Sequence, residues 1–131
     1  MSADAQAMFV LLEHRSAGDV HWDFLVGVPG QAGLATWRLA GDPTQTAAAV
    51  LAERIADHHP AFLDYEGPLR RAPGAVRRLD RGPARATRWA DPQIQLELDG
   101  TRLRGTYEIG LCAGGQLEFR RAAPRTAGSA D

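Results

Sequence analysis

The segment His21-Trp22-Asp23 sets an imidazole and a carboxylate two positions apart, with His14 one loop upstream and His58 further along the chain. The run Val20 to Val28 is rich in β-forming residues, and on a strand residues i and i+2 share a face. His21 and Asp23 are therefore expected to project together, while Trp22, Phe24 and Val26 fill the opposite face. Neutral imidazole plus carboxylate suits a divalent ion such as manganese or zinc. Taken singly, His21 reads as an ordinary strand residue, since an isolated histidine is seldom a ligand. The site reading depends on His14, Asp23 and His58 joining it.

The elements that must position these groups are mostly strands. Met8 to Glu13 reads as a buried strand and Val20 to Val28 as a second, closed by Pro29 and Gly30. Leu34 to Leu39 reads as a third. The period then changes: Thr44 or Thr46 is a candidate cap for a helix running to about Asp57, with Val50, Leu51 and Ile55 on one face. Pro60 stops it. Gly74 to Asp80, Ala84 to Trp89 and Ile94 to Leu98 follow as strands. Asp99-Gly100 is a two-residue hairpin signal, and Gln116 to Arg121 is the last strand. Many short strands, tight turns and one helix predict a mainly β fold: a small closed or nearly closed antiparallel β-barrel with one packed α-helix. The four site side chains are expected at one mouth of that barrel.

The chain has 131 residues, enough for one domain with one core. The expected division is a flexible segment 1–7, a single domain 8–121 and a disordered tail 122–131. No apolar run is long enough to span a bilayer, and Met1 to Ala7 lack the features of a signal peptide. The lone Cys112 excludes an internal disulfide or a cysteine zinc cluster, and a cytoplasmic location is expected. All fifteen basic residues are arginine. Seven of them, Arg70, Arg71, Arg77, Arg78, Arg81, Arg85 and Arg88, crowd one segment. A phosphate-bearing partner would explain the run, and so would coding bias on a solvated face. No P-loop, dinucleotide fingerprint or nucleophile elbow is present.

Six short motifs occur in a telling order: FVLLEH (Phe9 to His14), HWDF (His21 to Phe24), DHH (Asp57 to His59), DYEG (Asp64 to Gly67), GAVRRLDRG (Gly74 to Gly82) and LDGTRLRGTYEI (Leu98 to Ile109). The series resembles the N-terminal 3′-phosphoesterase domain of bacterial DNA ligase D, most of all its small stand-alone relatives, and spans roughly Met8 to Leu111. The resemblance implies a β-barrel and a manganese-type ion held in a His-x5-His-x-Asp arrangement. His14, His21 and Asp23 occupy those places, with the first interval one residue longer and Gly18 in the loop to absorb it. It also implies a phosphate-site histidine eight residues before the glutamate of the Tyr65-Glu66-Gly67 motif, where His58 stands. His58, His14, His21 and Asp23 are thus the candidate catalytic groups.

Two positions depart from the family. Leu25 stands where the family has a phosphate-contacting arginine, and Phe62 where it has a tyrosine. A charged hydrogen bond of that kind contributes about 1.5–3 kcal/mol. Arg38 and Arg54 are the candidate substitutes, making His58, Arg38 and Arg54 the expected phosphate-binding set. The resemblance implies a metal-dependent phosphoesterase acting on nucleic-acid 3′ ends bearing a phosphate or a ribonucleotide, in DNA repair, with ligase or polymerase partners on separate chains. The other reading is a weak or inactive relative that serves as a nucleic-acid-end or protein-binding module. Trp22, Trp37 and Tyr65 read as packing residues, Asp64 and Glu66 as turn-fixing groups, and His59 as a solvent-facing bystander.

Overall fold

Alternating apolar residues in the first third of the chain give a β-meander in the computed structural model, which describes residues 6–28 and 32–122. Strands β1 (Gln6–Ser16), β2 (Asp19–Gly27) and β3 (Leu34–Leu39) pair in order. Ala17 and Gly18 make the two-residue turn, and Gly18 takes a φ of +73°, a region that favours glycine. That turn fixes the register, setting His14 opposite His21 and Leu12 opposite Asp23. The rest of the sheet is β4 (Val50–His58), β5 (Gly67–Pro68), β6 (Ala75–Ala90), β7 (Gln93–Asp99), β8 (Arg104–Leu111) and β9 (Leu117–Arg121). The order β1-β2-β3-β4-β9-β8-β7-β6 closes through β1–β6 pairing into an eight-stranded antiparallel barrel, with β5 added along β6. β1 begins at Gln6, inside the segment expected to be flexible. Residues 123–131 of the expected tail, and Pro29 and Gly30, lie outside the described residues.

The barrel matches expectation; the packed α-helix does not exist among the described residues. Val50–His58 is a strand paired with β3 and β9. The half-buried residues Val50, Ala52, Ile55 and His58 are spaced by two, three and three: Ala52, opposite inward Leu39, and Ile55, opposite Thr36, lie on different faces, and β4 carries one extra residue between Ile55 and His58. A bulge of this kind breaks the two-residue alternation of a strand. Together with the alanines around it, that spacing imitates a helical face. Thr44 and Thr46 cap nothing helical: the Thr44 amide and hydroxyl donate to Asp42, and the Thr46 hydroxyl accepts from Ala48. The helical element present is a single 3-10 turn, Pro60–Leu63, capped by the His59 imidazole, which accepts the Ala61 amide. His59 is therefore a cap, not a bystander.

Two more expectations change. The strands foreseen on either side of Gly82-Pro83 are one continuous β6, which pairs first with β1 and then with β7. Gly82 permits close contact there, since a Cβ would lie 2.3 Å from the Asp99 carbonyl oxygen. The β7–β8 connection is four residues, Gly100–Leu103, rather than two. Its amides of Thr101, Arg102 and Leu103 donate to the buried carboxylate of Asp80, which also accepts from Arg81.

Two apolar clusters lie on opposite faces of the β1–β3 wall. Phe9, Leu11, Phe24, Val26, Trp37 and Leu39 point inward and fill the barrel with Leu96, Ile109 and Phe119. Val10, Leu12, Leu25 and Leu34 point outward and are covered by Leu63, Val76, Phe62 and Leu69. Full burial of each such side chain contributes about 1.5–3 kcal/mol, against about 0–1 for an exposed ion pair such as Arg81–Asp64. Apolar burial therefore does most to hold segment 59–72 on the outer wall.

Candidate functional site

Because His14, His21 and Asp23 alternate with the inward-pointing core residues, they sit on the outer face of the wall. The expectation of a barrel mouth is corrected by that parity: Glu13, Trp22 and Phe24 take the inward direction. The β4 bulge puts His58 in register with Leu34, on the same outer face. Arg38 on β3 is directly opposite Asp23.

The four predicted groups meet. His14 Nδ1 and His21 Nε2 are 2.9 Å apart, with the rings edge to face. Asp23 Oδ2 lies 3.6 Å from His21 Nε2 and 3.8 Å from His58 Nε2. Arg38 Nε is 3.4 Å from Asp23 Oδ1. The Asp23 side chain is only 5% exposed, so the carboxylate is reached from one side. The Pro73 carbonyl, 2.9 Å from His14 Nε2, can only accept a hydrogen bond, which in the neutral ring leaves His14 Nδ1 as the lone-pair nitrogen facing His21. His58 is oriented likewise, its Nδ1 donating to the Ala56 carbonyl at 3.2 Å. Burial pushes the His21 imidazole below the ordinary histidine range; Asp23 opposes this, and Arg38 and His14 reinforce it.

The donor set fits a divalent ion in chemistry. Two ligands of one ion at about 2.1 Å are roughly 3–3.4 Å apart, comparable to the 2.9 and 3.6 Å edges. Among the described residues no group of three or more His, Cys, Asp or Glu side chains is already arranged as a metal cage. His14 and His21 share a hydrogen bond across the edge an ion would occupy, so binding requires that contact to open.

A cleft of about 800 Å³ runs from this cluster beneath segment 59–72. Its floor includes Leu12 and Val76, one side carries Phe62 and Tyr65, and Arg70 and Arg71 stand at the rim. Leu25 is fully buried in the outer cluster, so the place of the family arginine is part of the wall. Arg38 lines the cleft. Arg54 does not: it stacks 4.8 Å from the Trp37 ring centre and bonds Asp57 and the carbonyls of Thr36 and Ile55. The arginine run divides too. Arg77 and Arg81 pair with Glu13 and Asp64, and Arg85 with Glu97. Glu66 accepts the Arg78 amide, so Asp64 and Glu66 tie the loop to β6. Trp37 is core and Trp22 packs against it, whereas Tyr65 is exposed at the cleft. Sequence reasoning missed the Pro73 carbonyl and the His59 cap, both backbone-geometry effects without a residue-type signal.

Among the described residues no helix is long and apolar enough to cross a membrane. No curated protein matches the chain. Residues 13–110, three quarters of its length, match the DNA ligase D 3′-phosphoesterase domain. That span contains His14, His21, Asp23, Arg38 and His58, and with it the whole outer-wall cluster. The chain belongs to the DNA ligase D 3′-phosphoesterase domain family, and its function is of the phosphoesterase type.

Proposed function

We propose that the protein is a divalent-metal-dependent phosphoesterase that removes a phosphate or a ribonucleotide from nucleic-acid 3′ ends, in DNA repair. The observation that carries this is the convergence of His14, His21 and His58 on the buried Asp23 carboxylate, at the end of a cleft rimmed by arginine. His14, His21 and Asp23 would hold the ion, manganese or zinc by their nitrogen and oxygen donors. When bound, it supplies Lewis-acid polarisation of a phosphoryl oxygen.

The chain's own residues do the rest. Asp23 provides the fixed negative charge around which the imidazoles gather. Arg38 donates to Asp23 through Nε, which leaves the outer edge of its guanidinium to grip a phosphate oxygen in place of the family arginine. His58, with Nδ1 on a carbonyl, has Nε2 facing Asp23; as a water molecule attacks phosphorus and the P–O bond to the leaving group breaks, its imidazolium form donates the Nε2 proton to the leaving oxygen. Leu12 and Val76 make the floor of the cleft apolar.

The test is release of inorganic phosphate or of a nucleoside from a primer–template ending in a 3′-phosphate or a single ribonucleotide, with manganese present. Wild type is expected to turn over, with His21→Ala and His58→Ala each losing at least about 100-fold, the usual size of a general acid's contribution. Metal-dependent binding of the same DNA without turnover by wild type would favour the end-binding module instead. That second reading draws on Leu25 and Phe62 standing in place of two phosphate-contacting groups.

A further inference from the structure

We propose that the cleft seats the last nucleotide of an unpaired 3′ end, its base against Phe62 and Tyr65 and its backbone against Arg70 and Arg71. The proposal rests on the phosphoesterase reading for where the 3′ terminus lies, and adds that the strand must leave its duplex to reach it.

Size comes first. A cleft of about 800 Å³ falls within the roughly 300–1,000 Å³ of pockets that engulf small ligands. A nucleotide fits such a space; the end of a duplex, with both bases paired and stacked, does not. Asp23 is buried at the inner end, so a terminal phosphate must be carried inward past the rim. A base still stacked in a helix holds its phosphate outside.

Aromatic groups line that path. The His58 and Phe62 ring centres are 5.4 Å apart, and those of Phe62 and Tyr65 are 6.1 Å apart at 89°. Tyr65 is 38% exposed, one of few large apolar side chains left open on the surface. Its hydroxyl donates to the Pro68 carbonyl, which fixes the ring at the cleft. Phe62 lacks the hydroxyl that would bond a phosphate and retains the ring that stacks on a base.

Charge is complementary. Arg77 and Arg81 are neutralised by carboxylates. Arg70 and Arg71, exposed at the cleft rim, have no carboxylate within ion-pair distance among the described residues. Guanidinium groups so placed suit the phosphates that lead into a terminal nucleotide.

The experiment uses the full chain and labelled oligonucleotides of one sequence ending in a 3′-phosphate: single-stranded, with a 3′ overhang, and blunt duplex. Fluorescence anisotropy in EDTA reads binding, and quenching of a terminal 2-aminopurine reads stacking. Single strand and overhang are expected to bind at least about 10-fold more tightly than blunt duplex, with the terminal base quenched. Tyr65→Leu, which keeps bulk without a π face, should lower single-strand affinity about 5- to 100-fold and abolish the quench. Its thermal unfolding should stay cooperative, with only the small shift expected from losing one exposed hydrogen bond. Arg70→Ala with Arg71→Ala should flatten the salt dependence. Equal affinity for blunt duplex, or an unquenched terminal base, would overturn the proposal. In a parallel assay of the same oligonucleotides with manganese in place of EDTA, release of phosphate from blunt ends alone would also overturn it while leaving the phosphoesterase reading intact. A single-strand preference with no release from any substrate would support the cleft and sink the phosphoesterase reading.

Discussion

Asp80 and Asp23 are both buried aspartates on the barrel wall, and they are surrounded in opposite ways. Asp80 accepts four backbone amides, from Arg81, Thr101, Arg102 and Leu103, at 2.7–2.9 Å. Asp23 has only side chains around it, two imidazoles and a guanidinium at 3.4–3.8 Å. Main-chain donors at hydrogen-bond distance saturate a carboxylate and lock a turn. Longer contacts to groups that can rotate leave lone pairs free for a ligand. The difference separates a carboxylate that holds the fold from one that waits on chemistry.

The largest expected effect breaks the first of the pair. Asp80→Ala leaves several turn amides without acceptors and should lower unfolding free energy by about 3–5 kcal/mol, read from urea denaturation. Asp23→Asn should change stability by less than about 1.5 kcal/mol, since no amide depends on it. If the two variants unfold alike, the distinction fails. The metal side is sharpened by thermal shift: with manganese at 100 times its Kd, wild type should gain about 2.7 kcal/mol. Asp23→Asn and His21→Ala should gain nothing, while Arg54→Ala, outside the cleft, should respond as wild type does. Gly100→Ala probes the saturated side from another direction. Its Cβ would lie 2.4 Å from Asp80 Oδ2 and 2.6 Å from Phe9 Cζ, so a loss of about 1–3 kcal/mol is expected.

How much of this was legible in the sequence follows from which features are local. That His14, His21 and Asp23 share one face comes from strand alternation and one two-residue turn, and both are written in adjacent residues. His58 was found through its motif distance, but its element was misread. A change of face between Ala52 and Ile55 and one extra residue before His58 together gave β4 a helical-looking spacing, and alanine-rich flanks strengthened the illusion. Which face of the wall is interior depends on β1 closing against β6, whose paired residues Leu12 and Arg78 are far apart in the chain; no window reveals that. The same non-local path decides that Arg70 and Arg71 line the cleft while Arg54 turns to Trp37. Asp99-Gly100 signalled a turn correctly in place and wrongly in length, because a distant carboxylate, Asp80, organises it.

Trp22 offers a smaller test of the same principle from the opposite side. Its indole Nε1 is buried without a hydrogen-bond partner among the described residues, the reverse of saturated Asp80. Trp22→Phe removes an unsatisfied donor and some volume together. The two effects oppose, so stability should stay within about 1 kcal/mol of wild type by urea denaturation. A loss beyond 2 kcal/mol (roughly the cost of a broken hydrogen bond plus a cavity) would mean that the indole nitrogen is partnered after all.

The smallest effect concerns a third buried carboxylate, Glu13, which lies between the two extremes. Arg15 donates to it at 2.8 Å and Arg77 at 3.3 Å. The Arg15 hydrogen bond, helped by the charge of both guanidiniums and opposed by burial, holds its carboxyl below the ordinary glutamate range. A carboxyl that binds its proton less readily folded than unfolded contributes stability that is complete above its unfolded pKa. That stability is lost as pH falls through the lower, folded value. The wild-type urea midpoint should therefore decline on acidification more steeply than that of Glu13→Gln, which has no proton to take up there. Both arginine side chains are 68% exposed, so solvent screens the pair and the difference between the curves should shrink in high salt. An acid limb unchanged by Glu13→Gln would place Glu13 with Asp23, among carboxylates whose partners contribute little to holding the barrel together.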